Sequence, residues 1–178
     1  ALLERKQYAE ATAALRESVR INPLQPQTLN SLGLALAAQG DNLAAVGQYR
    51  QAMRISRGFA DVRVNLGNAL ARLGNTSEAQ AAFREALEIE PSHLEARARL
   101  GYLLASMGNY AAAVTEFREF VRLEPGQVRG HYNLGLALQR QGNCREALAA
   151  YGEALRLDPG NREARENLEN CQQKLARE

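Results

Sequence analysis

Glycine returns every 34 residues along this chain, at Gly33, Gly67, Gly101 and Gly135, and again at Gly40, Gly74, Gly108 and Gly142. Other residue types keep the same step. Leucines precede the first series at Leu32, Leu66, Leu100 and Leu134, and alanines recur at Ala11, Ala45, Ala79, Ala113 and Ala147. Large rings stand at Tyr49, Phe83, Phe117 and Tyr151, with Leu15 in that place earlier, and prolines recur at Pro23, Pro91, Pro125 and Pro159. Self-similarity at such a period marks a repeat architecture, in which one unit cannot bury its apolar face alone and a core forms only by stacking. The 178 residues hold five periods with eight residues over.

Each period reads as two helices. From Asp61 to Leu73, the apolar residues Val62, Leu66, Ala69, Leu70 and Leu73 recur at three- and four-residue steps, which is one face of a helix. Gly74-Asn75 breaks the pattern as a helix C-terminus does. Ser77 is the expected cap of the next helix, with Glu78 in its first turn and Ala79, Ala82, Phe83, Ala86 and Leu87 along one side. Pro91 closes it. Strict alternation and β-branched runs are missing, so the predicted fold class is all-α. A glycine in mid-helix costs roughly 1 kcal/mol against alanine. Gly67 and its equivalents are therefore expected to admit a close approach of the partner helix, with Ala79 facing that contact and Phe83 filling the space between neighbouring pairs.

Composition removes several function classes. Basic and acidic residues, 22 against 20, are interspersed, whereas a nucleic-acid binder clusters its positive charge. No run of about 18 apolar residues exists to span a membrane as a helix. Two cysteines make neither a disulfide framework nor a structural zinc site. No phosphate loop, nucleophile elbow or metal-ligand spacing occurs, so no metal, cofactor or catalytic residue is expected and the chain is read as a non-enzyme. His93, in a turn, and His131, at the start of a first helix, are expected to pack or meet solvent; Cys144 takes the slot of Tyr8 and Tyr110 as a half-buried filler. Ala1-Leu2-Leu3-Glu4 does not read as a secretory leader, which favours a cytoplasmic setting.

The series Asn65-Leu66-Gly67, Leu70, Gly74-Asn75, Glu78-Ala79, Phe83, Ala86 and Pro91, and its second copy Asn133-Leu134-Gly135, Leu138, Gly142-Asn143, Glu146-Ala147, Tyr151, Ala154 and Pro159, resembles the tetratricopeptide repeat family. The resemblance covers essentially the whole chain. It implies a right-handed α-solenoid of antiparallel helix pairs whose first helices line a concave groove where peptides bind. In that register residues 1–178 form one solenoid domain, with a partial repeat at 1–25, complete repeats at 26–59, 60–93, 94–127 and 128–161, and a polar capping helix at 162–178. The chain then begins inside a repeat, as a fragment would, and Leu168 and Leu175 form the inner side of the cap, with Glu163, Glu166, Gln173, Lys174 and Arg177 outside. Two departures stand out: Arg57 replaces a terminal proline, implying a different junction angle, and Phe120 replaces a small alanine, implying a local helix shift.

The resemblance places Asn30, Asn65, Asn68, Arg72, Arg99, Tyr102, Arg129, Tyr132, Asn133, Arg140 and Asn167 on the groove. Asparagine offers both donor and acceptor, so Asn65, Asn133 and Asn167, at equivalent places, are suited to hold a peptide backbone or to stabilise the repeat itself. Tyr102 and Tyr132 are candidate anchors, since tyrosine is enriched in binding hot spots. Arg99, Arg129 and Arg140 could meet an acidic ligand, a preference diluted by Glu95 and Glu163. Of the family's clamp for chaperone C-termini only Asn65 and Arg99 match, so that role is not expected. The expected function is a scaffold for a protein or peptide partner. The alternatives are the recruiting arm of a larger enzyme, such as an O-linked sugar transferase, whose repeat arrays the asparagine ladder resembles, and a self-associating scaffold.

Overall fold

The computed structural model describes residues 2–177, with side chains from Gln7 onward; Ala1 and Glu178 lie outside the described residues. The described residues form ten helices and no strand. They fall into two compact units, residues 1–96 and 97–178.

The first unit holds α1 (Leu2–Ile21), α2 (Pro26–Ala38), α3 (Asn42–Ile55), α4 (Ala60–Arg72) and α5 (Thr76–Ile89), each packed on its predecessor from α1 to α5. The helix α6 (Leu94–Ser106) starts at its end and supplies the first helix of the second unit. There α7 (Tyr110–Leu123), α8 (Val128–Arg140), α9 (Cys144–Leu157) and α10 (Arg162–Leu175) continue the alternation, with α8 on α7, α9 on α8 and α10 on α9.

A single chemical device joins the two helices of a pair. After Leu73 the chain enters Gly74 at φ +80°, a left-handed conformation that glycine adopts without a Cβ clash. The Gly74 amide donates to the Ala71 carbonyl (3.1 Å) and the Asn75 amide to the Leu70 carbonyl (2.9 Å), closing the helix with its last carbonyls satisfied. Asn75 is at the same time the residue that opens α5. The cap position is therefore Asn75 and not Ser77, which lies inside α5, and the Asn75 side chain makes no capping bond. At the equivalent junctions Asp41 accepts from the Ala44 amide (3.0 Å), Asn109 from Ala112 (3.3 Å) and Asn143 from Glu146 (3.2 Å). Lys6 stands one period before Gly40, and with no glycine there α1 runs unbroken for 20 residues. Ala11 is exposed on α1 and Thr12 is buried in its stead.

The mid-helix glycines answer to a ring. A Cβ on Gly67 would stand 2.5 Å from Cε1 of Phe83, on Gly135 2.6 Å from Tyr151, and on Gly101 2.8 Å from Phe117; Gly33 faces Tyr49 in the same way. The close approach is thus between a glycine and the aromatic side chain of its own pair. Tyr49, Phe83, Phe117 and Tyr151 are all at most 2% exposed, and Ala45, Ala79, Ala113 and Ala147 are fully buried. Burying one such ring contributes roughly 1.5–3 kcal/mol, enough to offset the helix cost of the glycine opposite.

The two departures are absorbed locally. The ring of Phe120 lies against Gly130, where a Cβ would come within 2.6 Å of its Cδ1, so a large residue on α7 is matched by a missing side chain on α8. Helices α7 and α8 keep their ends one period and two periods from those of α5 and α4, so no helix end shifts. At Arg57 the backbone carbonyl accepts from Arg63 Nη1 (2.6 Å). Whole periods away, His131 Nε2 donates to the Pro125 carbonyl (2.7 Å) and Arg165 to the Pro159 carbonyl. One clamp thus holds the turn whether or not its residue is proline. In α10 the inner face is built on Ala164 and Cys171, both fully buried, with Leu168 and Leu175 only half-buried; Glu163, Glu166, Gln173, Lys174 and Arg177 are exposed.

Two stability measurements test this packing. Gly67→Ala is expected to cost about 1–3 kcal/mol by overpacking. Gly152→Ala, in a helix with nothing within 4 Å of the new methyl, is expected to raise stability by about 0.5–1 kcal/mol in the same denaturant titration. Gly130→Ala is expected to destabilise the chain with Phe120 present and to be neutral or stabilising in a Phe120→Ala background, a coupling that a double-mutant cycle reads directly.

Candidate functional site

The first-helix residues of the second unit converge around one hydrogen bond. Asn133, on α8 and only 9% exposed, donates from Nδ2 to the Tyr102 hydroxyl on α6. A carboxamide this deeply placed needs a partner, because leaving it unsatisfied costs on the order of 1–3 kcal/mol. The Tyr102 ring is held edge-on against Phe117 (centroids 5.4 Å apart, interplanar angle 66°), and the Arg129 guanidinium lies 5.6 Å over its centre. A cation over an aromatic face contributes roughly 0.5–1 kcal/mol at an exposed site. Tyr102 is thereby fixed from beneath, from the side and from above.

Cavities open on both sides of this bridge. One of about 410 Å³ is lined by Tyr102, Ala105, Ser106, Tyr110, Phe117, Asn133, Leu136, Ala137 and Arg140. The other, of about 370 Å³, is lined by Tyr102, Val128, Arg129, Tyr132, Asn133, Asn161 and Glu163. Tyr132 packs on Tyr151 (6.1 Å between centroids), with Glu163 and Asn167 near its hydroxyl. Its hydroxyl is pushed above the ordinary tyrosine range, first by burial and then by the Glu163 carboxylate.

Of the residues assigned to the groove from sequence, the second unit brings together Tyr102, Arg129, Tyr132, Asn133 and Arg140 around these cavities, and Asn167 lies near Tyr132 without lining either. Arg99 is exposed on α6. In the first unit Asn65 Nδ2 donates to Asn30 Oδ1 (3.0 Å), Arg72 Nη1 reaches the Ala37 carbonyl at the end of α2 (3.4 Å), and Asn68 is half-buried on α4. The asparagine ladder therefore has a structural part: Asn65 and Asn133 each bond a residue of the preceding first helix. Sequence reading missed Tyr110, Phe117 and Leu136 as cavity walls. For Tyr110 the available signal is the slot it shares with Tyr8 and Cys144.

The remaining chemical candidates are structural. His93 Nε2 donates to Asp61 Oδ1 (3.0 Å) while Nδ1 accepts from the Ala96 amide (3.3 Å), which caps α6. Cys144 is buried rather than half-buried, and the buried Cys171 thiol is pushed up to about 12, by burial first and then by the adjacent Cys144 thiol, which disfavours the reactive thiolate. Among the described residues no group of three or more His, Cys, Asp or Glu could hold a metal, and no helix is long and apolar enough to cross a membrane.

Three family models, each described as Tetratricopeptide repeat, match the chain: one over residues 1–58 and 64–128, one over 128–161 and one over 36–84. The chain belongs to the tetratricopeptide repeat family. No curated protein sequence matches it. Among solved structures, the tetratricopeptide repeat chain is similar to MamA, at 22% identity and a TM-score of 0.81, covering 88% of this chain and 91% of that one. It is similar to YrrB, described as a TPR protein with an unusual peptide-binding site, at 21% identity and a TM-score of 0.76, covering 92% and 84%. It also resembles the C-terminal part of a TPR repeat-containing protein from Cytophaga hutchinsonii, at 16% identity and a TM-score of 0.83, covering 96% and 67%. At these identities the likeness is one of fold.

Glu163→Gln is expected to lower the titration of Tyr132 toward the ordinary tyrosine range, because it removes a negative charge that opposes the tyrosinate. Ultraviolet-difference titration against a Tyr132→Phe control reads the shift.

Proposed function

We infer that this tetratricopeptide repeat chain is a protein-interaction scaffold. We propose that this chain binds an extended peptide segment across the first-helix face of its second unit. The observation that carries this reading is the pair of cavities sharing Tyr102 and Asn133. An extended chain laid over the bridge would place neighbouring side chains in cavities on either side. The Asn133 amide donates to Tyr102, so its carboxamide oxygen is the atom suited to accept a peptide N–H. Tyr102 presents a large area at low entropic cost because its ring is already held. The likeness to YrrB, itself described with a peptide-binding site, supports the same reading.

The test uses a bound segment mapped by backbone amide shifts. Tyr102→Ala and Asn133→Ala are each expected to weaken it by tenfold or more, as hot-spot truncations do, with far-ultraviolet circular dichroism unchanged. Arg118→Ala, on α7 where Arg118 pairs with Glu146, is expected to leave binding unaltered. Equal binding by all three variants would sink the assignment. So would shifts confined to the second helices, which together with concentration-dependent light scattering would indicate self-association instead.

A further inference from the structure

The cavity bounded by Tyr102, Phe117, Leu136 and Arg140 has an uneven chemistry. Phe117 is buried in its floor, and Ala105, Leu136 and Ala137 extend an apolar wall. Arg140 is its one charged lining residue; it is exposed at the end of α8 and makes no ion pair among the described residues. Three other guanidinium groups of this unit do have an acceptor: Arg118 pairs with Glu146, Arg122 with Glu119 at 2.8 Å and Arg156 with Glu153 at 2.6 Å. On the far side of the Tyr102–Asn133 bridge the charges are Arg129 and Glu163, and the Glu163 carboxylate lies near the Tyr132 hydroxyl. The two cavities together thus present two guanidinium groups without a carboxylate partner against one carboxylate.

We propose that this site selects an acidic peptide: an apolar side chain, aliphatic or aromatic, fills the cavity over Phe117, and an aspartate or glutamate within two residues of it meets Arg140. The inference rests on the peptide-binding reading above and adds the class of ligand. An apolar side chain gains by leaving water against Leu136 and Ala137. A carboxylate gains a charge-assisted, potentially bidentate hydrogen bond with a planar guanidinium, which an amide of the same shape cannot match. The position of Arg140 in the last turn of α8 suits the helix dipole, but that alone gives no preference among ligands. Selectivity in the peptide is therefore the property that distinguishes the two roles.

Random heptapeptides displayed on phage are panned against the whole chain, against Arg140→Gln and against Tyr102→Ala. Selected sequences are then synthesised with acetylated and amidated ends, so that no terminal carboxylate is present, and measured by fluorescence anisotropy. The expected result is a selected set in which Asp or Glu accompanies Leu, Ile, Phe or Met. Replacing the acid by its amide should weaken binding about tenfold at low salt, and that penalty should vanish in Arg140→Gln, whose helicity is unchanged. A penalty that persists in Arg140→Gln overturns the assignment of the acid to this residue. Selected peptides without an acid, yet lost in Tyr102→Ala, overturn the acidic class while leaving the peptide site standing. Selected peptides indifferent to Tyr102→Ala, or no enrichment over a glycine–serine clone, overturn both readings.

Discussion

A ring resting on a glycine sets the spacing of the helix pairs. Without a side chain at Gly67 the ring of Phe83 reaches the α4 backbone, and with one it would be displaced by the width of a methyl group. Interiors packed at crystal-like density do not yield by that much without cost. The contact recurs at Gly33, Gly101 and Gly135, so each pair is built to one separation. Each also ends in the same glycine–Asx junction, in which one residue's amide closes the first helix and its place opens the second. These two devices make the period 34 residues and leave little freedom in how the two helices of a pair meet.

Much of this was legible because helix faces and turn residues repeat in register. The period, the helix pairs and the breaking glycines follow from spacing alone. What spacing could not tell was which atom fills the room a glycine leaves. Both a backbone and a ring are consistent with a missing Cβ, and only the fold shows that Phe83 points back into its own pair. The match of Phe120 to Gly130 was illegible for a related reason. Each residue departs from its own series, and the two departures cancel only because α7 and α8 bring them face to face. The clamp of Arg63, His131 and Arg165 on the preceding turns was hidden by chemistry: arginine and histidine look unlike in a sequence, yet each donates to a carbonyl six residues back. That clamp also explains why Arg57 in place of proline leaves the helix ends in register.

The candidate site was legible in its membership and not in its wiring. Register placed Asn65, Asn133 and Asn167 on one face, and a choice between holding a ligand and stabilising the repeat stood open. The structure gives two of these carboxamides a bond within the repeat array. Asn133 spends its amide hydrogen on Tyr102, and Asn65 spends one on Asn30. Their partners sit 31 and 35 residues away, at different places in the preceding first helix, so no periodic rule predicts them. Each such bond fixes the orientation of its carboxamide. Preorganised polar groups of this kind bind with less ordering cost than free ones.

The division of labour follows from which positions a pair can vary without losing its spacing. The glycine, ring and buried alanine positions are fixed by packing, and a change at any of them disturbs two helices at once. The outward positions of the first helices carry no such constraint, and there the units diverge: one period apart, Asn68 is followed by Tyr102 and then Leu136, and Arg72 by Ser106 and then Arg140. Specificity in a scaffold of this type must therefore be written at those sites, because they are the ones that substitution can alter while the stack persists. Tyr102, Leu136 and Arg140 all occupy such positions and all line one cavity. An aromatic, an aliphatic and a cationic residue thus meet on one wall from positions that the glycine–ring packing does not fix.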